Sequence, residues 1–144
     1  MPTMTAARSS VTGAHDYSET LPCRLEAARR ARLLVSTALQ TWGFSACADA
    51  GTLIVSELVA NVVTHTRCRL ARVTITRIGD DTVRIAVADT SRSVPAMASP
   101  AGDAGSGRGL LLVDTLSDRW GCRLHRSCKV VWAELSIKAD EAEK

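Results

Sequence analysis

A glutamate and an asparagine four residues apart, Glu57 and Asn61, interrupt one of the most apolar stretches of this sequence. On a helix that spacing puts both on one face, and His65 continues the row. A carboxylate in greasy surroundings costs several kcal/mol unless something compensates it. Either a satisfied hydrogen-bond network holds the pair, or the row faces a cavity for a metal or a ligand. Further along, Asp89 ends a stretch of alternating residues, and Gly105-Ser106-Gly107-Arg108-Gly109 leads into an apolar run. Backbone N–H groups at a helix start carry partial positive charge, and glycines let phosphate oxygens approach them closely. The series is not a P-loop, because Arg108 and Gly109 stand where Lys and Ser/Thr are required. Nor is it a dinucleotide fingerprint, since no strand leads directly into it. Taken singly, Asp89 reads as a turn cap and the glycines as a flexible linker.

The elements that must position these residues follow from hydrophobic period. Ala31, Leu34, Val35, Ala38, Leu39 and Trp42 keep the spacing of one helix face, and Gly43 sits where that helix stops. Arg24, Arg29, Arg30 and Arg32 lie on the other side and read as a solvated face. A second helix is expected over 49–66, apolar on much of its circumference through Leu53, Ile54, Val55, Leu58, Val59 and Val62. Gly51 weakens its first turn. The period then changes to two. Ala71, Val73 and Ile75, a turn at Gly79-Asp80-Asp81, and Val83, Ile85 and Val87 predict a hairpin with one buried face. Residues 90–109 lose regularity and read as a lid or binding loop. A short helix over 110–116 and a last hairpin over 119–137 complete the order. Helices against antiparallel hairpins favour an α+β two-layer sandwich with a mixed, largely antiparallel sheet. Residues 1–20 read as a mobile arm, 21–137 as one domain and 138–144 as a charged tail. The three tryptophans, Trp42, Trp120 and Trp132, are expected as packing anchors.

Composition narrows the function classes. With 144 residues, 46% of them apolar, the chain can bury one domain-sized core, which excludes disorder as its overall state. A net charge of +3, with acids and bases interleaved, is not the concentrated basic stripe of a nucleic-acid binder. Five cysteines without a CxxC pair argue against a disulfide framework or a zinc site, and free thiols are expected. No apolar run approaches the roughly 18 residues that cross a bilayer, and no secretory signal opens the chain. The expected setting is cytoplasmic, without membrane contact.

The combination carries more than its parts. Glu57-Leu58-Val59-Ala60-Asn61 resembles the N-box of the ATP-binding domain shared by gyrase, the heat-shock chaperone, histidine kinases and MutL, the GHKL superfamily. Asp89 stands where that superfamily's first glycine box begins, and Gly107-Arg108-Gly109-Leu110 is similar to the second. Within it, the chain looks most like the small anti-sigma-factor serine kinases and their stand-alone relatives in high-G+C bacteria. Val55 to Asn61, Gly107 to Asp114, Asp118-Arg119-Trp120-Gly121 and Val131-Trp132-Ala133-Glu134-Leu135 carry this likeness, which covers about 21–137.

The resemblance implies ATP and Mg2+ as cofactors, with Asn61 ligating the ion and Glu57 acting as general base. Asp89 would accept a hydrogen bond from the adenine amino group, and Gly107, Arg108 and Gly109 would close over the phosphates. Gly105, Leu110 and Ser91 complete the cofactor-binding set. Two departures are visible: Ser91 and Ser93 replace the glycines of the first box, and Cys128-Lys129-Val130 lacks the threonine usual before the final strand. The implied function is an anti-sigma factor with serine kinase activity toward an anti-sigma-factor antagonist. The implied partners are that antagonist and a sigma factor, with a homodimer possible. The alternative is a non-catalytic module that binds a regulator with weak or no nucleotide turnover.

Overall fold

The alternating segments form one sheet and the helical ones a layer on one of its faces. A computed structural model describes residues 5–6, 15–65, 69–89, 104–124 and 128–136. In chain order these are β1 (Thr5–Ala6), β2 (Asp16–Pro22), α1 (Ala27–Thr41), a 3-10 turn (Ser45–Cys47), α2 (Ala48–His65), β3 (Leu70–Ile78), β4 (Thr82–Asp89), α3 (Ala104–Leu116), β5 (Arg119–Leu124) and β6 (Lys129–Ser136). The six-stranded sheet has the order β1-β2-β3-β4-β6-β5. The α+β two-layer expectation holds, and every pairing among the described residues is antiparallel.

Period-two patterning decides which residues meet the helices. Val73 and Ile75 on β3, Val83, Ile85 and Val87 on β4, and Val131, Ala133 and Leu135 on β6 are buried on one face. The register stacks them in rows, with Val87 opposite both Val73 and Val131, and Ile85 opposite both Ile75 and Ala133. Against these rows lie the buried Leu34, Val35, Ala38 and Leu39 of α1 and Ile54, Val55, Leu58, Val59 and Val62 of α2. Leu53, expected on the apolar circumference, points outward at 46% exposure. By length and composition alone the helix–turn segment Ser45–Val63 is apolar enough to cross a membrane, a stretch longer than the sequence reading picked out. Its apolarity has a local reason: α2 packs against both other helices and the sheet, so it needs more than one greasy side.

Gly43 ends the first helical segment as anticipated, with φ at +83° just past the cap residue Trp42, a conformation that costs glycine nothing. Gly51 proves to be a packing requirement. A Cβ there would lie 2.9 Å from Leu39 Cδ1 and 3.1 Å from Val35 Cγ1, because α1 crosses α2 at this point.

Three further expectations change. The arm assigned to residues 1–20 is partly strand: β2 pairs with β3 from Asp16↔Thr76 to Pro22↔Leu70. Its alternation is masked because Glu19, on the helix side, is satisfied by an ion pair with Arg30 of α1 instead of being replaced by an apolar residue. The third helix begins at Ala104, not near 110. Trp132 lies on the face of the sheet away from the helices, where Arg84 and Arg119 flank its ring at 5.2 and 5.4 Å. The other two tryptophans do pack: Trp42 against Tyr17 at 5.7 Å, and Trp120 through a 3.0 Å hydrogen bond that it donates to Asp114 of α3.

Replacing Gly51 with valine forces β-branched atoms into Leu39 and Val35, an overpacking that costs about 1–3 kcal/mol. Thermal melts followed by circular dichroism should show the midpoint fall by roughly 3–10 °C. An unchanged or higher midpoint would mean that α1 does not press on α2 at this glycine.

Candidate functional site

Glu57 and Asn61 come from successive turns of α2, one face apart from the residues that meet the sheet. Their environments differ. Asn61 is enclosed at 8% exposure, and its Oδ1 is buried with no hydrogen-bond partner among the described residues. Glu57 is only half-buried, so its carboxylate is not the desolvated group that the sequence suggested. That difference suits two roles: an amide oxygen held rigid inside, and a carboxylate that still reaches water. An unmet amide oxygen costs about 1–3 kcal/mol, so the Asn61 acceptor is a place where a donor or a cation would be stabilising. The side chain of His65 lies outside the described residues.

Asp89 is the last residue of β4 and points to the helix side, 2% exposed. It is engaged within the protein, while its Oδ2 keeps accepting capacity that the described residues do not fill. A cavity of about 210 Å3 at this end of the sheet is lined by Asp89 together with Leu70, Ala71, Arg72, Ala88 and Cys128. Asn61 and Glu57 are not among its lining residues, and Thr20, Arg72 and Ala88, which are, lie on the face of the sheet away from the helices.

The glycine series is placed differently from expectation. Gly105, Gly107, Arg108 and Gly109 are in the first turns of α3, not in a loop before it. Only the first four N–H groups of an α-helix lack an intrahelical acceptor. Near this start those include Gly105 and Ser106, whereas the N–H groups of Gly109 and Leu110 fall inside the ladder. The early start has a physical reason: Leu110 and Val113 are buried, and extending an anchored helix is much easier than nucleating one, even through glycine. The side chain of Leu110 is buried at 1% exposure. Ser91, Ser93 and the expected loop over 90–103 lie outside the described residues, as does the side chain of Arg108.

Sequence reasoning missed Lys129. The missing threonine at position 130 drew attention, but the register puts Val130 opposite Ala88, on the face away from the helices. Lys129 stands opposite Asp89 and is 1% exposed. A strand register was the signal needed, since period two alone makes 129 and not 130 the neighbour of Asp89. The same argument separates two thiols: Cys122 pairs with Val131 on the helix side, while Cys128 precedes Lys129 and falls on the other parity. Both are free thiols, as expected, together with Cys23 and Cys47. Burial pushes the Cys122 thiol above its ordinary range, with Lys129 pulling it down and Asp89 pushing it up.

Residues 21–135 match the family model of the histidine kinase-like ATPase domain. Among solved structures, the histidine kinase domain of the blue-light activated histidine kinase from Erythrobacter litoralis EL346 is similar at 18% identity and a TM-score of 0.48. That match covers 91% of this chain, which spans 65% of the length of the other. No curated protein sequence matches the chain. The family match takes in α2 with Glu57 and Asn61, the end of β4 with Asp89 and the glycine start of α3. The chain belongs to the histidine kinase-like ATPase family.

Proposed function

We propose that this protein binds Mg-ATP and transfers its terminal phosphoryl group to a serine of an anti-sigma-factor antagonist, while also holding a sigma factor. The observation that carries the nucleotide part is the enclosed Asn61 Oδ1 with its accepting capacity unmet among the described residues. An amide oxygen suits a hard cation that takes oxygen ligands. Among the described residues no group of three His, Cys, Asp or Glu stands ready to cage a metal. The fit is therefore to an ion that takes its remaining ligands from phosphate and water. When bound, Mg2+ would neutralise charge on the phosphates.

The chain's own residues supply the rest. Glu57, one turn from Asn61 and half-buried, is placed to take the proton of a serine hydroxyl at its carboxylate. Asp89 offers a carboxylate acceptor to the exocyclic amino group of adenine. The N–H groups of Gly105 and Ser106 at the start of α3 would be available to the phosphates. A cytoplasmic setting, where ATP is at hand, is part of this reading.

A protein partner is supported by the outer face of the helix layer. A cleft of about 800 Å3 beside α1 and α2 is lined by Arg29, Arg30, Arg32, Leu33 and Thr52 among others. Arg30 is engaged by Glu19, and Arg32 donates to Ser56 Oγ at 3.1 Å. Leu25 and Leu33 stand 73% and 67% exposed beside these arginines. Basic rims around apolar side chains fit an acidic segment with leucine-like anchors. The second reading, a binding module without turnover, is favoured by Ser91 and Ser93 at the glycine positions of the first box.

Incubation with labelled ATP and the cognate antagonist should give phosphoserine, and Glu57→Gln should slow transfer by roughly 100- to 10,000-fold while ATP still binds. Transfer at the wild-type rate in that variant removes Glu57 from the chemistry. ATP binding without transfer to any serine substrate favours the module. Arg29→Glu combined with Arg32→Glu should weaken sigma-factor capture at least tenfold in a salt-dependent way, with ATP affinity unchanged. Undiminished capture would place the partner on another surface.

A further inference from the structure

Two enclosed charges face one another at the end of the sheet. Asp89 closes β4 at 2% exposure, and Lys129 opens β6 at 1%. The register pairs them directly, two rungs beyond Val87 and Val131, so both side chains leave the sheet toward the helices. Directly opposed residues in an antiparallel pair have Cα atoms about 4.5–5.5 Å apart. Cys122, on the neighbouring strand β5, is within electrostatic reach of both, raised by the carboxylate and lowered by the ammonium. Arg72, which lines the cavity beside Asp89, pairs with Ala88 on the opposite face of the sheet and donates to Ser18 Oγ at 2.9 Å there. Glu134, also buried, is served from elsewhere, by Arg84 and Arg119. Neither an aspartate nor a lysine is tolerated in such an enclosure alone, because removing one partner of a buried pair leaves an uncompensated charge.

We infer that Lys129 forms a buried ion pair with Asp89 and is the positioning residue for the carboxylate that recognises the nucleotide base. The base-recognition half rests on the nucleotide reading above; the ion pair does not. An ammonium fixed on the adjacent strand restricts the aspartate side chain and keeps it ionised, hence an acceptor only. An acceptor-only group favours a base carrying an amino group at position 6 over one carrying a carbonyl there. Lys129 thus sets base selectivity without touching the phosphates.

Four variants of the full chain test this: Lys129→Met, Lys129→Arg, Asp89→Asn and the double variant Asp89→Asn/Lys129→Met. Each is melted without nucleotide and titrated with ATP and with inosine triphosphate, which carries the carbonyl. Lys129→Met should lower the melting midpoint by roughly 6–20 °C, and adding Asp89→Asn should recover much of that loss. At a temperature where it is folded, Lys129→Met should bind ATP at least tenfold more weakly, with its preference for ATP over inosine triphosphate reduced toward parity. Lys129→Arg should keep the preference. Additive destabilisation in the double variant overturns the ion pair. An unchanged preference in Lys129→Met overturns the positioning role. If the wild-type chain binds neither nucleotide, base positioning falls together with the nucleotide reading, and the melts then decide the ion pair by themselves.

Discussion

The cost of enclosing polar atoms between a helix layer and a sheet is the constraint on which the rest of this structure depends. The interface is filled with valine, leucine, isoleucine and alanine, and among the described residues the enclosed polar side chains that enter it are Asn61 from α2, Asp89 from β4 and Lys129 from β6, besides the ion-paired Glu19 of β2. Each unmet group there costs about 1–3 kcal/mol, and an unpaired charge more. Such groups persist where they satisfy one another or where a ligand meets them. Asp89 and Lys129 have the register of mutual partners; Asn61 has a buried oxygen that no described residue meets. The site is thus recognisable as the place where the hydrophobic logic of the fold is broken.

The packing around that break is tight. Gly51 lets α1 approach α2 closely, and the side chains it admits, Leu39 and Val35, belong to the same core as Ile85 on the central strand β4. The helix that carries Glu57 and Asn61 is therefore located by contacts near its N-terminal end, while its polar pair lies two to three turns later. Rigid placement of an amide oxygen is what a cation ligand needs, since little ordering cost remains to be met on binding. Glu57, reaching toward solvent one turn away, keeps the freedom a proton acceptor uses.

Much of this was legible in the sequence, and the misses share a cause. The helix faces, the hairpin with Ile75 and Ile85, and the role of Gly43 follow from period and local conformation. β2 was hidden because Glu19 occupies an inward position and is satisfied by Arg30, eleven residues away on another element. The extent of α3 was misjudged because glycine propensity is local, whereas the anchoring of Leu110 and Val113 is tertiary. At the candidate site, Glu57, Asn61 and Asp89 stand out by residue type and spacing, and the structure encloses Asn61 and Asp89 while leaving Glu57 half-buried. Lys129 was missed because its importance comes from standing opposite Asp89, which a linear reading does not display. Trp132 was assigned to the core by its type, though arginines on both flanking strands make the open face a suitable place for its ring.

The central claim is that the enclosed amide of Asn61 is there to meet a magnesium nucleotide. Calorimetric titration of the full chain with ATP, with and without Mg2+, compared with Asn61→Leu, tests it most directly. The account predicts magnesium-dependent heat in the wild-type chain, a thermal stabilisation of about 2.7 kcal/mol at 100 times the dissociation constant, and loss of the magnesium dependence in a variant that stays folded. Identical titrations for the two proteins, or no heat from the wild-type chain at millimolar nucleotide, would contradict it.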